Sequence, residues 1–155
     1  MSIRFFDMFS GIGGFRSGLE AVGGFECIGH CEIDKHANQA YNAIYDIKSQ
    51  EVHFEDARKI NPYDLPHIDL ICGGFPCQAF SIAGKRGGFD DARGTLFFEI
   101  ARIAAVKRPS YLLLENVPYA KKHIRDIMHR IQLCIVSHEK AVKQSIWLYF
   151  TAHNY

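Results

Sequence analysis

The sequence predicts an α/β fold built from βαβ units around an open sheet, and three observations carry that prediction. Short runs dense in β-formers alternate with segments whose apolar residues recur at helical spacing. The first run enters the first helical segment through a glycine-rich turn, Ser10-Gly11-Ile12-Gly13-Gly14. Acids and a thiol stand just past the ends of the apolar runs, where open α/β sheets place their chemistry. With 155 residues the chain is one domain by size and long enough to bury a core.

Composition narrows the function classes. A formal net charge of +1 announces neither a nucleic-acid nor a membrane partner, so any basic surface must be local. The five cysteines include no C-x-x-C pair, and no N-terminal apolar segment resembles a signal peptide. Reduced thiols and a cytoplasmic setting are therefore expected. No apolar run approaches membrane-spanning length. Cys27 and Cys31 lie near His30 and His36. That segment reads as a strand, whose alternate residues face opposite ways, which argues against a shared zinc site.

In chain order, Ile3 to Phe9 is the first strand, and Phe15, Leu19 and Val22 mark the inner face of the first helix, stopped by Gly23-Gly24. Glycines between them let the backbone approach a ligand, and the helix start offers unpaired N–H groups. The pattern G-x-G-G is not the dinucleotide fingerprint, and a glycine turn alone also serves as a plain tight connection. Phe25 to Cys31 is the second strand. Glu32 follows it directly, where nucleotide-binding sheets hydrogen-bond ribose hydroxyls. Asp34 suits the N-cap of a helix over 35–45. Val52 to Phe54 is a short third strand, and Asp56 beyond it is either a ligand to an adenine amino group or a solvated loop acid. Asn61 to Pro66 reads as a loop whose prolines exclude a helix.

Ile68 to Cys72 is a fourth, buried strand ended by Gly73-Gly74. Cys77 follows Pro76, which fixes its own φ and sets the direction of the next residue. A cysteine here is either a nucleophile or a small buried apolar residue. The run from Gln78 to Gly94 is a long glycine-rich loop of both charges, and loops this long are functional or disordered. Lys85 and Arg86 between its glycines fit phosphate contact on a movable lid. Thr95 to Val106 is a helix with Leu96, Phe97, Ile100, Ile103 and Ala104 inward. Tyr111 to Val117 is a fifth strand that runs apolar into Glu115 and Asn116. Acids are depleted in buried strands, so Glu115 is a site candidate. Asp7–Phe9, Glu32, Asp56, Cys77 and Glu115 are expected along one edge of one sheet. Pro118 to Val136 reads as an amphipathic helix, and 145–150 as a strand.

Four motifs stand in order: Phe9-Ser10-Gly11-Ile12-Gly13-Gly14, Pro76-Cys77-Gln78, Arg93-Gly94-Thr95-Leu96-Phe97 and Glu115-Asn116-Val117. Together they resemble the DNA cytosine-C5 methyltransferase family, most of all its bacterial restriction–modification members, over residues 3 to about 117. The resemblance implies a Rossmann-like S-adenosylmethionine domain at 1–117 with a mixed sheet whose last hairpin lies outside the matched stretch, and a divergent segment at 118–155. It implies that Phe9 stacks near the adenine, that Gly11, Gly13 and Gly14 approach the methionine part, and that Glu32 holds the ribose and Asp56 the adenine amino group. Ile33, Pro76 and Leu96 would complete the cofactor pocket, Ile33 standing where such enzymes often carry an aromatic residue. Cys77 would be the nucleophile and Glu115 the contact to N3 and the amino group of the target cytosine, with Asn116 and Arg93 in support. Gln78, Ser81, Lys85 and Arg86 would belong to the loop that meets double-stranded DNA carrying a flipped cytosine.

The family's Gln-x-Arg-x-Arg segment, its target-recognition domain and its final helix have no match here, so the fold is expected to be truncated. Three readings follow: one part of an enzyme completed by a second polypeptide, an inactive truncated fragment, or a cofactor-binding module without chemistry. Cys77, Gln78, Glu115 and Asn116 together argue against the last, since cofactor binding alone needs neither a thiol nor Glu115.

Overall fold

The computed structural model describes residues 2–75, 96–116 and 146–151. The predicted helix over 118–136 and the loop from Gln78 to Gly94 lie outside them. The described elements are β1 (Ile3–Met8), α1 (Gly14–Val22), β2 (Phe25–Cys31), α2 (Lys35–Ile44), β3 (Val52–Phe54), β4 (Leu70–Gly74), α3 (Leu96–Lys107), β5 (Tyr111–Asn116) and β6 (Ile146–Thr151). The strands form one sheet in the order β3-β2-β1-β4-β5-β6. All of their pairings are parallel. The antiparallel strand implied by the resemblance is not among the described residues. None of the described helices is long and apolar enough to cross a membrane.

Period-two alternation divides the sheet into two faces. Phe6, Met8, Ile71, Leu112 and Leu114 join Phe97, Ile100 and Ile103 of α3 in the larger core. Phe5, Cys27, Leu70 and Cys72 line the opposite face, under the half-buried Phe15 and Leu19 of α1. Both faces are covered, as a parallel sheet requires, which is why its strands read as near-continuous apolar runs.

The structure corrects four local expectations. Gly73 and Gly74 do not end β4; they are its last two residues, paired with Leu114 and Glu115 of β5. Pro62 does not exclude a helix: Pro62–Asp64 is a 3-10 turn capped by Asn61, with the proline in the first turn, where no N–H is needed. In α1 the buried residue is Arg16, while Val22 is 80% exposed, because the helix turns Arg16 towards α2. Asp7 is no strand-end acid: it sits inside β1 and is fully buried. Asp34 does cap α2, accepting from the N–H groups of His36 and Ala37, both at 2.8 Å.

Candidate functional site

Because the strands are parallel, their C-terminal ends share one edge, and the register shows how closely. Met8 is level with Cys31 and Gly73, Cys31 with Phe54, and Gly74 with Glu115. The chain continues the ladder beyond the strands. Ser10 N–H donates to Cys31 O at 3.1 Å and Glu32 N–H to Phe54 O at 3.0 Å. The glycine turn, Glu32 and the Asp56 loop therefore leave from neighbouring points of one edge.

The glycine turn is bent by residues at positive φ: Phe9 at 55°, Gly11 at 54° and Gly13 at 88°. Gly13 has a second constraint, since a Cβ there would run into the ring of Tyr45. The Tyr45 hydroxyl donates to Gly13 O at 2.5 Å. Among the described residues, nothing lies within 4 Å of a Cβ placed on Gly11 or Gly14. Gly13 caps α1 without a side chain. The first N–H groups of α1 thus keep the partial positive charge that favours an anionic or strongly polar ligand.

Glu32 is fixed at four points. Its Oε2 accepts from Gly11 N–H at 2.8 Å and its Oε1 from Asp34 N–H at 2.8 Å. Its backbone N–H bonds β3, and its carbonyl accepts from Asn38 Nδ2 at 2.6 Å. Each carboxylate oxygen accepts more than one bond, so acceptor capacity remains for a ligand diol. Beside it, Ile33 is 69% and Ile12 60% exposed. They offer apolar surface on either side of the Gly11–Glu32 link. Phe9 packs half-buried against the larger core. Asp56 is gripped by Arg58, whose Nε and Nη2 donate to its two oxygens at 2.9 and 2.8 Å. That pair holds the Asp56 carboxyl below the usual range. Leu96 opens α3 and is half-buried.

At the other end of the edge stands Glu115. Its backbone is held in the ladders to β4 and β6, but its carboxylate makes no hydrogen bond among the described residues, and burial raises that carboxyl above the ordinary glutamate value. Its Oε2 occupies the space where a side chain on Gly74 would begin, 2.8 Å from an ideal Cβ. Pro76, Cys77, Gln78, Ser81, Lys85, Arg86 and Arg93 lie outside the described residues. Asn116 closes β5.

Two features escaped sequence reasoning. Arg16 is buried beneath the glycine turn. It donates to Glu51 at 2.8 and 3.2 Å and to Glu20 at 2.8 Å, and lies over the rings of Tyr41 and Tyr45. The arginine thereby ties α1 to α2 and to the entry of β3. The second feature is a polar row across four strands: His53, His30, Asp7 and Cys72 are successive register partners. The Cys72 thiol donates to Asp7 Oδ1 at 3.6 Å. Asp7 Oδ2 and His30 Nδ1 are buried without a hydrogen-bond partner among the described residues. Burial pushes the Asp7 carboxyl up to about 7 and the His30 imidazole down to about 4, so the neutral form of each is favoured between those two values. An Asp inside an apolar strand was the available signal for the row; nothing in the sequence sets Arg16 apart from a surface arginine.

The site thus combines an open glycine turn, a fixed acceptor at Glu32, exposed apolar side chains beside it and a desolvated acid at Glu115. That suits a ligand with a ribose-like diol and an apolar ring at one end, and proton-coupled chemistry at the other. Comparison with known proteins gives a concordant result. The model of the C-5 cytosine-specific DNA methylase family matches residues 3–134. The Type II methyltransferase M.HhaI of Haemophilus parahaemolyticus is 46% identical over 121 residues, which are 78% of this chain and 36% of that protein. The Type II methyltransferase M1.ScrFI of Lactococcus lactis subsp. cremoris is 50% identical over 120 residues, 77% of this chain and 30% of that protein. The chain spans about a third of the length of these curated relatives. A solved triple mutant of DNMT2 from Spodoptera frugiperda shares the fold, with a TM-score of 0.61 at 21% identity over 88% of this chain and 41% of that one.

Proposed function

This chain belongs to the C-5 cytosine-specific DNA methylase family, and on that premise we propose that it carries the cofactor-binding and catalytic portion of a DNA (cytosine-5-)-methyltransferase. The observation that carries the reading is the pairing of a fixed Glu32 with a desolvated Glu115 on one sheet edge. S-adenosylmethionine would supply an activated methyl group on a sulfonium. The residues present fit it. Glu32 retains acceptor capacity for its ribose hydroxyls, Ile12 and Ile33 offer apolar surface for its adenine, and the open side of Gly11 and Gly14 leaves room for its methionine part. Asp56 would accept from the adenine amino group through the lone pairs that Arg58 leaves free.

Cytosine C5 is too weak a nucleophile to accept a methyl group unaided. The Cys77 thiolate adds to C6 and electron density moves to C5. Glu115 stabilises the ring by sharing a proton at N3, which a carboxyl already raised by burial is suited to do. After methyl transfer the C5 proton leaves, the electrons return, and Cys77 is expelled from C6. A free thiol titrates near about 8.5, so Cys77 needs a neighbouring cation or dipole. The base must leave the duplex to reach the thiol. Gln78, Ser81, Lys85 and Arg86 would meet the DNA, with Asn116 and Arg93 supporting the site.

The names of the relatives favour a restriction–modification context. The target-sequence reader lies outside the residues matched here, on a second polypeptide or on further chain. We place the protein in the cytoplasm, a setting that its free Cys27, Cys31 and Cys72 thiols suit.

Covalent trapping tests the proposal. The chain is incubated with S-adenosylmethionine and duplex DNA containing 5-fluorocytosine, which blocks the final proton loss. A denaturant-stable adduct that maps to Cys77 and disappears in Cys77→Ser is expected, with cofactor binding kept in that variant. Cofactor binding without an adduct, alone or with source-cell lysate, would reduce the chain to a binding module. Loss of cofactor binding together with the adduct in Cys77→Ser would remove the assigned role of the thiol.

A further inference from the structure

Glycine inside a strand weakens it and calls for a local cause. Gly73 and Gly74 stand side by side at the end of β4, and neither has the positive φ that would demand glycine. Their causes differ. A Cβ on Gly73 would strike the carbonyl oxygen of Met8, a fixed backbone atom of β1. Among the described residues, the atoms nearest a Cβ on Gly74 are all of the Glu115 side chain, first of them Oε2 at 2.8 Å, the far end of a flexible side chain. Gly74 and Glu115 are also direct register partners in the β4–β5 ladder.

We propose that Gly74 is a positioning residue for Glu115: its missing side chain reserves the half-buried space in which the carboxyl is held. Any side chain at 74 turns the carboxyl out towards water, while the β4 backbone stays as it is. The inference rests on the assignment of Glu115 to the chemistry, but its geometry can be tested without any turnover. Gly73 serves the fold and Gly74 serves the site, although they are adjacent and chemically identical.

The test follows the Glu115 carboxyl by NMR in the full chain, labelled with 13C at glutamate and assigned through Glu115→Gln. In Gly74→Ala the Glu115 pKa is expected to fall towards the ordinary glutamate value, with the thermal midpoint close to wild type. Gly73→Ala is expected to lower that midpoint sharply. An unmoved Glu115 titration in a folded Gly74→Ala would overturn the proposal. Should Gly74→Ala fail to fold, the double variant Gly74→Ala/Glu115→Ala decides: recovery of folding supports the reserved space, and equal loss refutes it. In the trapping assay, Gly74→Ala should slow adduct formation. The effect of Gly74→Ala should shrink in a Glu115→Asp background, whose shorter acid avoids the added methyl. Absence of an adduct in wild type would count against the methyltransferase reading and leave the NMR result standing.

Discussion

Glu32 and Glu115 are both glutamates at the C-terminal edge of the same sheet, yet they are held in opposite ways. Glu32 is bonded through both carboxylate oxygens and both backbone groups, so its direction is fixed before any ligand arrives. The Glu115 carboxylate accepts no hydrogen bond among the described residues and is held by the shape around it, with burial raising its pKa. Backbone N–H donors fix the direction of a carboxylate; desolvation favours the neutral acid. One arrangement makes a rigid acceptor and the other a group ready to hold a proton. The difference teaches that residue type and strand-end position do not assign a role: the number of donors around the carboxyl does.

The largest effect expected from this contrast is on the chemistry. Glu115→Gln keeps the shape but removes the shared proton. It should slow adduct formation by roughly 10²–10⁴-fold, with the cofactor dissociation constant little changed. An adduct rate equal to wild type would place Glu115 on the same footing as a structural acid.

Asp7 extends the contrast to a fully buried carboxyl, and here stability is the readout. Its pKa is raised from 3.8 to about 7, so the unfolded chain gives up the proton first and stability falls as pH climbs through that window. His30 is lowered from 6.5 to about 4, so the unfolded chain takes up a proton first and stability falls as pH drops through that window. Between about pH 4 and 6.5 the two slopes oppose each other and nearly cancel. Removing one partner exposes the other. Relative to wild type, Asp7→Asn should gain stability with rising pH across that range, and His30→Asn should lose it, each by up to about 1.4 kcal/mol per pH unit. Urea titrations at the two ends of the window measure this. Parallel profiles for wild type and both variants would show that the row does not titrate as described.

Glu32→Ala removes the acceptor of Gly11 N–H and Asp34 N–H together with the proposed ribose contact. Calorimetry should find S-adenosylmethionine binding weaker by roughly 1–3 kcal/mol, with adduct formation recovering at saturating cofactor. A rate that stays low at saturation would break the division between acceptor and proton holder. The smallest effect concerns the neighbour of Glu32. Ile33→Phe places an aromatic ring on exposed apolar surface and should tighten binding by about 0.5–1.5 kcal/mol. No change would mean that the adenine lies elsewhere.

Much of this molecule was legible before folding was considered. Among the described residues, strand and helix positions followed from periodicity to within two residues, because both faces of the sheet are buried and the apolar runs are dense. The capping role of Asp34 followed from its place before α2, because capping is a local interaction. Other features were not legible, because they depend on residues distant in sequence. Arg16 reads as a surface arginine until Glu51 and Tyr41 are brought beside it. Asp7, His30 and Cys72 read as unrelated until strand register aligns them.

The sequence by itself determined which elements form, their order, and the motifs that tie the chain to its family, since these depend on neighbours along the chain. Tertiary structure alone decided which of two adjacent glycines serves the fold and which serves Glu115. The physical reason is that a missing side chain has no meaning in one dimension. Its use is set by the atom that fills the vacated space, and that atom comes from β1 for Gly73 and from β5 for Gly74.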